Sequence, residues 1–467
     1  MQNHWRPKFH FSPDHGWIND PNGLVRCKDE YHMFYQYYGE DTVWGPMHWG
    51  HVRSKDLLHW EQLPVALCPD ELGYIFSGSC YYDEKNVSGL GSAENPPLLA
   101  FYTSHLKETK QEQQSLAYST DGIHFTKYPG NPIIPGPEYS NRRDPEVLEN
   151  PILGGYTMVV TEETQIAFYH SADLLHWERS GTFAPGEYGL SGICECPCLF
   201  PAETEEGRKW VLMISMILSE AERSKAPSVY NKSSHITQYF VGDFDGEKFV
   251  DTECSREPLV PDYGMDLYAP VCFSGVKDVI SIGWVGNWEY SDKIPTAEEG
   301  YRGAVTLPRR LFLKKTGDGY RLRAEILTGE ETPIMKIREV YPGDGKTMMI
   351  EPREAVAELR TDLPAEGEIL LTNGREEARL AFTEQEYIFD RSRAGRKDFS
   401  ESFAEPRHSI FTIPRRVPAE DREHSKLHLI WDRSVLEVSL DDGLTMLTAY
   451  LFPEEGYERV EVRCLRV

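Results

Sequence analysis

Short apolar runs separated by turn residues recur along the chain, and they have the length of strands. Val211-Leu-Met-Ile-Ser-Met-Ile-Leu218, Ser115-Leu-Ala-Tyr118 and Thr237-Gln-Tyr-Phe-Val241 are examples. The last two run into Asp-containing turns that end on an aromatic residue. Ser54-Lys-Asp56-Leu-Leu-His-Trp60 recurs as Ser171-Ala-Asp173-Leu-Leu-His-Trp177, with weaker echoes over Ser119–Phe125 and Gly242–Phe249. Asp and Gly supply turn chemistry, and the aromatic begins the next strand and fills the layer beneath. His59 and His176 lie inside the repeat and are expected to be structural hydrogen-bonders. The repeats begin at residues 54, 119, 171 and 242, a spacing of 52 to about 70, somewhat long for one four-stranded blade with its loops. Stacked blades bury one another's faces. Four marked blades and an unmarked fifth over about 262–313 therefore predict a β-propeller.

Beyond Leu327 the pattern changes. Thr328-Gly-Glu-Glu-Thr-Pro333 reads as a linker. Strict alternation follows: Leu436, Val438 and Leu440 face one way, and Val435, Glu437 and Ser439 the other. Asn373-Gly374 and Asp442-Gly443 read as hairpin turns between such strands. The expected organisation is all-β: a five-bladed propeller over 1–325, a linker over 326–334 and an antiparallel β-sandwich over 335–467. No long helix is expected.

Composition narrows the function classes. With 467 residues, 40 % of them hydrophobic, the chain can bury a sizeable core. Its formal charge of −26 repels nucleic acid and anionic lipid. No apolar run approaches the roughly 20 residues of a spanning helix. The first ten residues lack a basic segment followed by an apolar one, so no export signal is expected. Nine cysteines, an odd count, do not resemble a disulfide framework. A reduced, cytoplasmic protein is expected, acting on a small molecule with neither nucleic acid nor membrane as partner; association into a homo-oligomer is left open. The sequons at Asn86 and Asn231 are then incidental.

The chemistry concentrates in three acids. Asp20 stands in Trp17-Ile-Asn-Asp20-Pro-Asn-Gly23, where Pro21 and Gly23 make a rigid turn that fixes its carboxylate. Taken alone this is a common surface turn, but Trp17, Tyr35, Gln36, Tyr37, Trp44 and Trp49 crowd nearby. Such residues offer the flat faces and amide donors a sugar ring needs; Tyr31 and Phe34 are assigned to the core. Asp144 lies in Arg142-Arg143-Asp144-Pro145, and Glu195 in Cys194-Glu195-Cys196-Pro197. All three fall shortly before apolar runs expected to be inner strands of blades one, three and four, with Phe76-Ser77-Gly78-Ser79 at the equivalent place in blade two. Equivalent positions on blades converge on the axis, so three carboxylates and an arginine should meet in one funnel. Paired carboxyls are the minimal machinery of glycosidic cleavage.

These motifs resemble the signatures of glycoside hydrolase family 32, the invertases, exo-inulinases and levanases. Trp17–Gly23, Phe76–Gly78, Arg143–Pro145 and Glu195–Pro197 carry the resemblance. It extends through Tyr35–Tyr37, Trp44–His51, Tyr239–Gly246, Asp262–Asp266 and Asp432–Glu437, co-linear over essentially the whole chain. The resemblance implies a five-bladed propeller, a retaining mechanism and no cofactor. It also implies Asp20 as nucleophile, Asp144 as transition-state stabiliser and Glu195 as acid/base. A carboxyl beside another carboxylate holds its proton more tightly, the state an acid needs. Substrate contacts are expected from Asn19, Gln36, Trp44, Phe76, Ser77, Arg143 and Tyr301. Two departures stand out. Cys198 replaces the family's usual Asp or Gly, and Tyr301 takes the place of a tryptophan that often lines the sugar site.

The expected activity is removal of terminal fructose from sucrose or short fructans by a β-fructofuranosidase. The rivals are a fructosyltransferase using the same covalent intermediate and a non-catalytic carbohydrate-binding propeller. Other motifs are set aside, and no metal or cofactor is expected. Cys194, Cys196 and Cys198 alternate, but structural zinc prefers wider pairs and a fourth ligand, so a small buried cysteine row is expected. Gly345-Lys346-Thr347 lacks the first glycine of a phosphate loop, since Val340 stands there. Asp243-Phe-Asp245-Gly246 lacks the later acids of a calcium loop.

Overall fold

Asp56 shows how the repeat builds a blade. In the computed structural model its Oδ1 accepts from the backbone N–H of Leu58 and His59 at 3.0 and 2.8 Å, and its Oδ2 lies 2.7 Å from His59 Nδ1. Asp173 does the same with Leu175 and His176, and Asp121 with Ile123 and His124. Asp245, in the divergent fourth copy, caps Glu247 and Lys248, so it makes a turn. Each turn joins the third strand of a sheet to the fourth, as between His48–Ser54 and Glu61–Leu67. The histidines of the repeat are therefore structural.

The structure describes residues 4–225, 233–253, 255, 257–329, 347–350, 355–362, 366–415 and 425–464. Much of the expected linker (330–334), the start of the second domain, Gly345-Lys346 and Asn231 lie outside them. Among the described residues, the first part of the chain forms five successive, mainly antiparallel sheets. Their inner strands are Gly16–Cys27, Tyr74–Tyr82, Arg142–Glu149, Ile193–Thr204 and Leu267–Cys272. Each inner strand touches the next, and the fifth touches the first, which makes a propeller. Apolar residues fill every seam. Phe34 and Trp49 meet Ile75 and Tyr102; Leu99 and Phe101 meet Val147 and Met158; Val159 and Phe168 meet Leu199 and Leu212. Val211 and Met213 then meet Leu311 and Leu322, and Ile18 and Met33 meet Ile280 and Ile282, closing the ring. The fifth sheet runs on past the expected 313 to Ile326, because Gly319–Ile326 is its outer strand. The short strand Tyr301–Arg302 returns to pair in parallel with Gly16 and Trp17 of the first sheet.

The remaining strands form a sandwich of a six-stranded and a four-stranded sheet. The strand Val435–Leu440 is buried on both faces. Leu436, Val438 and Leu440 enter the sandwich core, while Glu437 faces the propeller. There Arg309 is the hub. It donates to Glu437 Oε2 through Nε and Nη2 at 2.8 and 2.5 Å, and to Asp262 Oδ2 through Nη1 at 2.8 Å. Residues 4–10 strap the two domains together, with the backbone N–H groups of His4, Trp5 and Arg6 donating to Glu299 of the propeller. Asp432 accepts the backbone N–H groups of Lys8, Phe9 and His10, and His10 Nε2 lies 2.9 Å from Glu437 Oε1. The helices are short: Glu220–Lys225 is the longest α-helix among the described residues.

Candidate active site

One backbone device aims the site. Every inner strand slips register against its neighbour at the same level, between Ile18 and Pro21, Phe76 and Gly78, Arg143 and Glu146, Glu195 and Cys198, and Tyr268 and Val271. Such bulges insert an extra residue and re-aim side chains. Asp144, Cys196 and Ala269 sit at the bulges with φ of +62°, +44° and +49°, conformations uncommon for non-glycine residues. Pro145, Pro197 and Pro270 follow them, and Pro21 follows Asp20. Proline cannot donate to the ladder, so it belongs where the ladder is broken. The acids thus lie within the inner strands, in their bulges. They were expected just before these strands, because the apolar run after each proline looks like a complete strand by itself.

The bulges bring the three acids together. Cys196 Sγ lies 3.6 Å from both Asp20 Oδ2 and Asp144 Oδ2, and Cys196 N donates to Asp144 Oδ2 at 2.8 Å. Ser77 Oγ donates to Asp20 Oδ2 at 2.8 Å, whereas the buried Asp20 Oδ1 has no hydrogen-bond partner among the described residues. Glu195 is held on both sides: Arg143 Nη2 donates to Oε1 at 3.1 Å, and the Tyr268 hydroxyl to Oε2 at 2.5 Å. A phenol can also accept. With a proton on Glu195 the second bond reverses, and the acid keeps its position in either state.

Arg143 is fixed in turn by Glu112, through bonds of 3.0 and 3.1 Å, and by Asn141 Oδ1 at 3.0 Å. Glu112 also lies 3.1 Å from His105 Nδ1, and the His105 ring stacks on Phe76 with centroids 4.2 Å apart. The candidate sugar contact Phe76 and the acid Glu195 therefore share one chain of support. Asn19 accepts from Trp17 Nε1 at 2.8 Å, and Gln36 donates to Asn22 Oδ1 at 2.9 Å; both are buried close to Asp20 in the first sheet. Trp44, 43 % exposed, stands edge-on to Phe76 at 6.2 Å.

Tyr301 is not brought to this site. It is 1 % exposed and lies under the Arg6 guanidinium, 3.9 Å from its ring centroid. Its pairing with Gly16 turns the ring toward the N-terminal strap, which corrects the expectation that it lines the sugar site. Trp288 offers an aromatic face instead: it packs 6.0 Å from Trp17 and 4.9 Å from Trp284, beside Cys196 and Tyr268. The three alternating cysteines do not make one row either, because the bulge splits them. Cys194 faces the seam of the third and fourth sheets, Cys196 the acids, and Cys198 the core that reaches the sandwich. Tyr268 went unrecognised in the sequence, yet it has a signal. Arg143-Asp144-Pro145, Glu195-Cys196-Pro197 and Tyr268-Ala269-Pro270 occupy the same place on successive blades. Their leading side chains form the bonded series Arg143–Glu195–Tyr268.

Burial, reinforced by the charge on Glu195, pushes the Asp20 carboxyl up to about 6. Burial pushes Asp144 up to about 8; the neighbouring Arg143 opposes this, and the charges of Glu195 and Asp20 add to it. An attacking carboxylate must be ionised, and lowering the pH protonates it. The expected result is that kcat/KM of the free enzyme falls as pH drops through about 6. A rate independent of pH between 7 and 5 would contradict Asp20 as the attacking group.

A propeller whose inner strands bring a buried carboxylate beside a clamped second carboxyl has the parts of a glycoside hydrolase. Comparison with known proteins narrows the class. Residues 10–324 match the model of the glycosyl hydrolases family 32 N-terminal domain, and residues 366–464 the family 32 C-terminal model. The chain belongs to glycoside hydrolase family 32. It is 33 % identical to a levanase of Bacillus subtilis, over 98 % of this chain and 68 % of the levanase. It is 32 % identical to an extracellular exo-inulinase of Aspergillus awamori, over 96 % of this chain and 90 % of that protein. The crystal structure of exo-inulinase from Aspergillus awamori superposes with a TM-score of 0.82 at 29 % identity, covering 99 % of this chain and 96 % of that one. A β-fructofuranosidase from Schwanniomyces occidentalis, complexed with fructosyl-erythritol, gives 0.86 at 26 % identity, covering 99 % and 94 %.

Proposed function

We propose that the chain is a retaining β-fructofuranosidase that releases terminal fructose from sucrose or short fructans. The observation that carries this reading is the pair of unequal oxygens on Asp20. Ser77 holds Oδ2, and the buried Oδ1 has no partner among the described residues. A buried carboxylate oxygen left unbonded is costly, and substrate chemistry supplies the compensation. In the first step Oδ1 attacks the anomeric carbon while the glycosidic C–O bond breaks, and Glu195 gives its proton to the departing oxygen. In the second, Glu195 takes a proton from water, which attacks the same carbon and frees Asp20. Asp144 faces the fructosyl hydroxyls and steadies the oxocarbenium-like transition state, and Arg143 sets the position of Glu195. The relatives named levanase, exo-inulinase and invertase favour fructosyl substrates. The buried free thiols Cys80, Cys194, Cys196 and Cys198 favour a reducing compartment.

The test is a panel of sucrose, sucrose 6-phosphate, kestose, inulin and levan, with the first product followed by NMR. Fructose should be released from sucrose or kestose and should appear first as the β-furanose. Release of α-fructofuranose first would show inversion, and no fructose from any member would remove the assignment.

A further inference from the structure

We infer that His235 is a leaving-group contact: its Nε2 hydrogen-bonds a hydroxyl of the sugar unit that departs. The inference deepens the fructosidase reading and rests on it. His235 opens the strand His235–Phe244 in the fourth sheet. In that sheet Glu195 lies opposite Ser215, and Ser215 opposite Thr237. The Ser215 and Thr237 hydroxyls are 2.9 Å apart, so these side chains share a face. Residues two apart on a strand face the same way. His235 therefore continues the row that starts at Glu195.

The imidazole is positioned from behind. Its Nδ1 lies 2.9 Å from Ser234 Oγ, and Glu289 Oε1 in turn accepts from Ser234 N at 2.8 Å. The ring stands edge-on to Tyr268 at 5.6 Å, and Trp288 lies at 6.5 Å. The Tyr268 hydroxyl is the group bonded to Glu195. No partner for Nε2 occurs among the described residues. Half-buried, held at one nitrogen and free at the other, His235 is arranged for a ligand. Glu195 delivers its proton to the departing sugar, so a side chain that continues its row and packs on the Tyr268 ring bonded to it stands where that sugar leaves. Burial lowers the imidazole below its usual value, opposed by the charges of Glu195 and Glu289. The ring is thus neutral near pH 7, and a neutral imidazole nitrogen pairs with a sugar hydroxyl in either tautomer.

The test uses two substrates that share the fructosyl unit: sucrose, and methyl β-D-fructofuranoside, whose leaving group has no further hydroxyl. His235→Ala should lower kcat/KM on sucrose by roughly threefold to tenfold, the worth of one neutral hydrogen bond. On the methyl fructoside it should stay within about twofold, as should inhibition by free fructose. His235→Gln keeps a donor and an acceptor and should recover part of the loss on sucrose. An equal loss on both substrates would overturn the inference, placing His235 behind the acid and not against the departing sugar. Unchanged sucrose kinetics in His235→Ala would also overturn it. Failure of the unmutated enzyme to release fructose from either substrate would instead remove the fructosidase reading.

Discussion

Asp20→Ala and Glu195→Ala should each lower kcat by at least about 10²-fold, with the thermal unfolding midpoint near that of the parent. Removing Asp20 takes away the group proposed to form the covalent bond. Removing Glu195 forces the sugar oxygen to leave as an alkoxide and also deprives the second step of its base. Neither carboxylate carries a structural load comparable to that of Arg143, which links Glu112, Asn141 and Glu195. The folded state should therefore survive both changes, and deletion of a repelling buried charge at Asp20 can even raise stability. The two variants should differ with leaving group. Glu195→Ala recovers much of its first step on a fructoside whose leaving group needs no proton, whereas Asp20→Ala does not. Near-parental kcat on sucrose in either purified, folded variant would overturn the assignment.

Arg309→Met should be the most damaging change outside the site, with an expected loss of about 3–5 kcal/mol. It leaves Glu437 and Asp262 buried with no guanidinium between these two carboxylates, and the Arg309 bond to Thr448 is lost as well. Chemical denaturation would show the loss, and activity per folded molecule should change little because the acids are untouched. A destabilisation below about 1 kcal/mol would show the cluster to be dispensable. The same cluster predicts a pH dependence. Burial alone would lower the His10 imidazole, but its hydrogen bonds to Asp432 and Glu437, with their charges, raise it from 6.5 to about 9. A group with a raised folded-state value stabilises fully below its unfolded value and loses that contribution as pH rises. The interface should therefore hold at pH 6 and weaken progressively as pH rises from 6.5 to about 9.

Much of this molecule is visible in its sequence because the relevant physics is local. The Ser-x-Asp-x-x-His turn bonds only within itself, as Asp56 and Asp173 show, so two copies announce the blades. The three acids are each followed within two residues by a proline, and the blade repeat brings those places to one axis. What escaped depends on contacts distant in sequence. Glu437 alternates like any sandwich residue, and nothing near it reveals that it answers an arginine 128 residues earlier. Tyr301 was assigned to the sugar site by its place in a motif. The parallel pairing that turns it away joins it to Gly16 at the other end of the propeller. Tyr268 lies between these cases, because its Tyr-Ala-Pro pattern is legible once Glu-Cys-Pro is recognised as a bulge.

The account turns on Asp20 forming a bond to the sugar. In Glu195→Ala the second step lacks its base, so an intermediate built from a β-fructofuranosyl donor with an electron-poor aryl leaving group should accumulate. Acid quenching, proteolysis and mass spectrometry of the peptides would then locate it. One fructosyl residue on the Asp20 carboxylate is the predicted result; a fructosyl residue on Asp144 or any other carboxylate, or turnover with no adduct at all, would contradict it.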